Sequence, residues 1–114
     1  SIFGDGNQTR DFIFVKDVVN ALLLAASTDR KPGEVYNIGN GTQVTINRLW
    51  ELIAAISGRP LTTEYLPARP GDIVHSVGNI DKARTLLGFI SETPLEQGLE
   101  LTFEWYRDQR TDNR

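Results

Sequence analysis

Cysteine and methionine are both absent, and histidine occurs once, as His75. Without cysteine there is no disulfide scaffold, no thiolate metal site and no thiol nucleophile, a usage that fits a cytoplasmic setting. One histidine leaves too few ligands for a zinc site, so no metal is expected. Methionine is missing even from the first position, Ser1, and the chain is therefore expected to be a piece of a longer product; no signal-peptide pattern opens it. Neither sign of charge dominates. Twelve basic residues face 15 acidic ones for a formal charge of −3, and no basic block interleaves with aromatics, which argues against nucleic acid as a partner. The longest apolar run, Val18 to Ala26, is interrupted by Asn20. It falls well short of the roughly 20 residues that a membrane helix needs. A G-x-S-x-G elbow and a P-loop are both missing, and no acid–base pair stands out, so no catalytic residue is assigned.

What is present begins with a glycine-punctuated turn, Gly4-Asp5-Gly6, that leads through Arg10 into the apolar run Phe12 to Val15. Glycines at this spacing suit positive-φ turn geometry, and the aromatic and β-branched run predicts a strand. Arg10 stands at the junction. A guanidinium held there has five donors and can take a phosphate bidentately, but it can equally pair with Asp11 or cap the turn, and on these residues alone the second reading is the commoner.

Further along, Asp17 is expected to N-cap a helix whose body, Val18 to Ala26, is apolar on nearly every face and so needs covering all round. Pro32-Gly33 breaks the chain, and Glu34 to Ile38 predicts a strand running into Gly39-Asn40-Gly41. That turn lacks the third glycine of a dinucleotide fingerprint, since Val44 stands in its place. Thr45 predicts the N-cap of a second helix, with Ile46, Leu49, Trp50, Ile53 and Ile56 on one face and Gly58 closing it. Thr62 to Leu66 and Ile73 to Val77 read as extended. Asn79 is placed to cap a short helix that turns Ile80, Ala83 and Leu87 inward before Gly88. Thr93-Pro94-Leu95-Glu96 combines a capping box with proline at the first helical position, ahead of a stripe of Leu95, Leu99, Phe103 and Tyr106. The polar end, residues 108–114, is expected to fray. Strands alternating with helices, without repeats or linkers, indicate one α/β domain over 1–107 with a polar tail over 108–114.

A second restrained arginine, Arg69, lies between Pro67 and Pro70, three residues before Asp72. Arg10 and Arg69 can converge on one diphosphate if the fold joins their loops, each charge-assisted bond then contributing about 1.5 to 3 kcal/mol. Asp72 can accept from ribose hydroxyls or merely turn the chain, and Asn37 can orient a ligand or satisfy loop backbone.

Taken in series, Gly4-Asp-Gly-x-Gln-Thr-Arg-Asp-Phe-Ile-Phe-Val-x-Asp-Val-Val19, Tyr36-Asn-Ile-Gly-x-Gly41, Arg69-Pro-Gly-Asp72, Asp81-Lys-Ala-Arg-x-Leu-Leu-Gly88 and Glu104-Trp-Tyr106 resemble the C-terminal portion of the NAD-dependent nucleotide-sugar epimerases and dehydratases, the extended short-chain dehydrogenase family. The UDP-glucose 4-epimerases are the nearest pattern within it. The resemblance implies a small α/β substrate-binding subdomain of short mixed strands and about four helices, without the Rossmann domain that holds NAD in the full-length parent. The family's Gly-x-x-Gly-x-x-Gly turn and Tyr-x-x-x-Lys pair are not in this sequence. No cofactor site is therefore assigned here, and hydride removal from the sugar's C4 and its return are expected of the parent and not of this piece. By the same resemblance Phe3, with Ile2 beside it, lies against a uracil ring, Arg10 and Arg69 grip the diphosphate, Asp72 holds the ribose, Ile46 lines the nucleobase pocket, and Asn37 contacts or positions the nucleotide. A UDP-hexose is the implied ligand. The N-terminal Rossmann domain is the implied partner, with a homodimer as a further expectation. Phe12 and Ser76 stand where some relatives carry tyrosine, which leaves the sugar open. A free-standing, non-catalytic binding or assembly module of the same fold is the alternative.

Overall fold

A computed structural model describes residues 1–29, 33–60 and 62–112 of the chain, the last two without their side chains; Pro32 and the final residues of the expected tail lie outside the described residues. The elements in chain order are β1 (Ile2–Phe3), β2 (Thr9–Arg10), α1 (Val15–Ser27), β3 (Val44–Thr45), α2 (Ile46–Ser57), β4 (Tyr65–Leu66), α3 (Asp81–Leu87) and α4 (Leu95–Asp112). The result is α/β, with four helices and short strands among the described residues. β1 pairs in parallel with β4 (Ile2 with Tyr65, Phe3 with Leu66), and β2 pairs antiparallel with β3 (Thr9 with Thr45, Arg10 with Val44).

Several helix signals act as expected. Thr45 Oγ1 accepts from the Arg48 N–H at 3.0 Å to cap α2, and Gly58 ends that helix at φ 63°. Gly88 closes α3 at φ 68°, while the expected cap Asn79 stands one residue ahead of the cap position, Ile80, and accepts from the Asp81 N–H at 2.9 Å. Left-handed geometry at a helix end favours glycine because a Cβ there meets the following carbonyl.

Other expectations are corrected. Helix α1 begins at Val15, three residues earlier than Val18, so Phe12 to Val15 is no strand and Asp17 lies inside the first turn. Asp17 is not the cap. It is buried, at 4 % exposure, and accepts from Ser91 Oγ, Glu92 N–H and Thr93 N–H at 3.1, 3.3 and 3.1 Å, fastening α1 to the entry of α4. Those bonds take the Thr93 amide that a capping box would give to Glu96, and Glu96 instead approaches Arg48 of α2 at 3.7 Å. Helix α4 starts at Leu95, with Pro94 contributing the first carbonyl to the Gly98 N–H at 2.9 Å, and it runs on through Asp112 where fraying was expected from Asp108. Glu34 to Ile38 forms no strand. Tyr36 and Ile38 turn inward while Val35 is exposed, so the alternation is present, but no neighbouring strand supplies a ladder among the described residues.

The core gathers Ala21 of α1, Ala83 of α3 and Phe89, with Ile13, Leu24, Tyr36, Ile38 and Leu87 around them. Alanines at the crossing let the two helices approach closely, and Phe89 plugs the gap at 0 % exposure. A second contact packs α2 against α4. The body measures 50 × 41 × 21 Å with a radius of gyration of 17.1 Å. A closed domain of this length has about 13 Å. The chain is thus a flat piece with much apolar surface outward, including Val15, Val19, Leu22 and Leu23 on α1.

Candidate functional site

The glycine turn is built by backbone need. Gly4 and Gly6 adopt φ 86° and 77°, and a Cβ on Gly6 would stand 1.9 Å from Asn47 Oδ1. Asn47 fills that place because its N–H donates to the Gly6 carbonyl at 3.0 Å and its Nδ2 to the Asp5 carbonyl at 3.1 Å, while Tyr65 Oη donates to its Oδ1 at 2.9 Å. Inside the turn the Asp5 carboxylate accepts from the Asn7 N–H and Nδ2 at 2.9 and 3.1 Å. These two bonds, the backbone one first, hold its pKa below the ordinary carboxylate value. Gln8 Nε2 donates to the Phe3 carbonyl at 2.7 Å and closes the loop.

Two segments then run side by side. The Gly4 N–H donates to the Leu66 carbonyl, the Thr9 N–H to Val74, and the Ser76 N–H back to Thr9 at 2.8, 2.8 and 3.2 Å. The buried Thr9 also shares a hydrogen bond between its Oγ1 and His75 Nδ1 at 3.0 Å. This seam joins residues 2–10 to residues 64–76, and both arginines sit on it. Arg69 lies at the β1 end, its guanidinium carbon 3.6 Å above the Phe3 ring. Its carbonyl accepts from the Asp72 N–H at 3.2 Å, making a turn that Gly71 completes at φ 84°. Arg10 lies at the other end and donates to the Thr9 carbonyl at 2.7 Å.

The pairing of Arg10 with Asp11 does not form. The Asp11 carboxylate is taken by the backbone of the second glycine turn, accepting from the Asn40 and Gly41 N–H groups at 2.9 Å each. Among the described residues neither Arg10 nor Arg69 has a carboxylate partner, so both cations keep donors for an anion. Asp72 is exposed beside Arg69. Ile46, half-buried at the start of α2, donates its N–H to the Gln8 carbonyl at 3.1 Å and so borders the same turn. Asn37 is exposed in the irregular stretch before Gly39, and no hydrogen bond ties it to the seam among the described residues. Ile2 is buried at 7 %, so of the first two apolar residues only Phe3 offers a surface.

The α2 N-terminus is not a free anion site, since its first amides already donate to Gln8, Gly6 and Thr45. No cluster of metal-ligating side chains occurs among the described residues, and no helix is long and apolar enough to cross a membrane. Thr9, Asn47, Tyr65 and His75 escape a sequence reading because each acts through a partner far along the chain, and Gln8 because its side chain closes a loop of this one shape. Only the tight Asp-Gly-Asn composition of the turn hints that something must hold it.

The chain is similar to known proteins. Residues 1–39 match the model of the NAD dependent epimerase/dehydratase family. The UDP-glucose 4-epimerase of Mycolicibacterium smegmatis is 36 % identical over 95 % of this chain and 34 % of its own length. Among solved structures, UDP-glucose 4-epimerase with UDP-glucose from Thermotoga maritima matches at TM-score 0.87 and 42 % identity, over 95 % of this chain and 34 % of that one. The UDP-glucuronic acid 4-epimerase of Bacillus cereus, in complex with UDP-glucuronic acid and NAD, matches at TM-score 0.87 and 35 % identity, over 95 % and 35 %. The chain is therefore similar, in both sequence and structure, to a part of these NAD-dependent epimerases, and the resemblance read from the motifs holds. Within that class the relatives include UDP-glucose 4-epimerases, and the chain spans about a third of their length.

NAD accompanies the sugar nucleotide in the Bacillus structure. The turn of this chain that comes nearest to a dinucleotide cradle, Gly39 to Gly41, does not fit one. Its Asn40 and Gly41 amides already serve Asp11, and even a Cβ on Gly39 would meet Asp11 Oδ2 at 2.5 Å. No step of hydride chemistry is derived from these residues.

Proposed function

We propose that this chain is the nucleotide-sugar-binding part of an NAD-dependent epimerase or dehydratase, and that it binds a UDP-sugar along the seam between residues 2–10 and 64–76. The observation that carries the reading is the pair of arginines on one seam, neither neutralised by a carboxylate among the described residues. Arg10 is half-buried and Arg69 exposed, and a diphosphate supplies the charge and the acceptor geometry that two guanidiniums match. In this reading Arg10 and Arg69 take the diphosphate, Asp72 accepts from the ribose hydroxyls, and Phe3 and Ile46 contact the base. Asn37 has the weakest support, standing apart from the seam. Binding energy from the non-reacting diphosphate then positions the sugar for chemistry performed by residues outside this chain.

The exposed apolar side of α1 supports the same reading, as a face for the remainder of such an enzyme. Calorimetric titration with UDP tests the site. Arg10→Ala is expected to weaken binding about 10- to 100-fold, the equivalent of one lost charge-assisted contact of about 1.5 to 3 kcal/mol. UDP affinity unchanged by that substitution, or no UDP binding with the rest of the enzyme in place, would sink the reading and favour a non-binding assembly module.

A further inference from the structure

The Phe3 ring is a partly exposed aromatic platform at the edge of the seam, and one of its faces is already occupied. The Arg69 guanidinium carbon stands 3.6 Å from the ring centroid, the spacing of two flat groups in contact. Arg69 is otherwise exposed, has no carboxylate partner among the described residues, and sits in a turn whose shape is set by Pro67, Pro70 and Gly71 at φ 84°. A nucleobase stacks on an aromatic ring through the same face and at a similar distance. A base that stacks on that face competes with Arg69 for it.

We infer that Arg69 is a specificity-determining residue that exchanges the Phe3 face for the diphosphate. With no ligand it covers the ring. A nucleoside alone must displace it and gives the guanidinium nothing in return. A nucleoside diphosphate brings the anion that Arg69 moves to, so the stacking lost from Phe3 is replaced by charge-assisted hydrogen bonds, and the vacated face receives the base. The site thereby rejects bases that arrive without phosphate. This inference rests on the proposed binding of a UDP-sugar at the seam and adds the order of events and the discrimination.

Its signature is an opposite response to one substitution. In the full-length chain, Arg69→Ala is expected to tighten uridine binding about two- to five-fold, since the covering group is gone, and to weaken UDP binding by about tenfold or more. Both constants are read by ligand-observed NMR titration at up to millimolar concentrations, with the Phe3 ring protons as a second reporter. Uridine binding that is unchanged or weakened by Arg69→Ala overturns the exchange, as does a failure of uridine to bind the variant at all, because the uncovered ring would then be no platform. If uridine ignores Arg69→Ala while Arg10→Ala still weakens UDP, the exchange is wrong and the seam remains the UDP site. If UDP binds neither parent nor variant, the underlying reading has failed instead.

Discussion

The seam around the glycine turn and the outer side of α1 make opposite demands on the rest of the molecule. At the seam, polar groups from residues 2–10, 44–47 and 64–76 satisfy one another, down to the Asn47 amide that meets Gly6, Asp5 and Tyr65 at once. The site is thus assembled by this chain's own hydrogen bonds. On α1 the inner residues Asp17 and Ala21 are buried, whereas Leu22 and Leu23 are each 65 % exposed and Val15 and Val19 lie outward with them. Nothing in this chain covers them among the described residues. Polar geometry that must be accurate is completed locally, while apolar area, which is non-directional, is left for another surface to cover.

That contrast can be broken first at Gly6. Gly6→Ala places a methyl where Asn47 stands and forces a positive φ on alanine, and it is expected to cost about 2 to 3 kcal/mol in urea unfolding. Gly58→Ala also meets a positive φ but has open space around it, and should cost about 1 kcal/mol. Equal costs at the two positions would mean that the Asn47 network does not fix the turn. Next in size is the outer face: the pair Leu22→Ser and Leu23→Ser should change the chain's own stability by about 0.5 kcal/mol or less each. The same pair should sharply lower binding of an apolar dye and any self-association seen by light scattering. A large stability loss would show that those leucines pack within the chain after all. Smallest is the acid limit of the turn. Hydrogen bonds from Asn7 depress the Asp5 pKa below 3.8, so their contribution is complete above the unfolded value and fades as pH falls through the folded one. Carboxyl carbon NMR should give an Asp5 midpoint below 3.8 that returns toward it in Asn7→Ala.

Much of the fold was legible where a signal is local. Thr45 and Gly58 bound α2, and Gly88 ends α3, because caps act within four residues of their targets. The misreadings share the opposite property. Asp17 resembles a cap in sequence, yet its partners are Ser91 to Thr93; Asp11 resembles a partner for Arg10, yet it holds Asn40 and Gly41. A short acidic side chain carries no mark of which amide it will meet. Phe89, the largest fully buried side chain, follows a helix-ending glycine and belongs to no periodic stripe. An apolar residue just past such a glycine often folds back on its helix, and that was the available clue. The arginines themselves were readable from their restrained settings, but their placement at the two ends of one seam was not, since it depends on the β1–β4 ladder and on the bonds of Thr9 with Val74 and Ser76.

Asp17 also sets an order in time. Its acceptors are filled by residues 74 to 76 positions later in the chain. At about 5 to 20 residues per second, a ribosome needs roughly 4 to 15 s to reach them after making Asp17. Until then the carboxylate has only water to answer it, and α1 cannot press its inner edge into a dry core without stranding a charge. Helix α1 therefore cannot complete its buried polar contacts until Ser91 to Thr93 have been made.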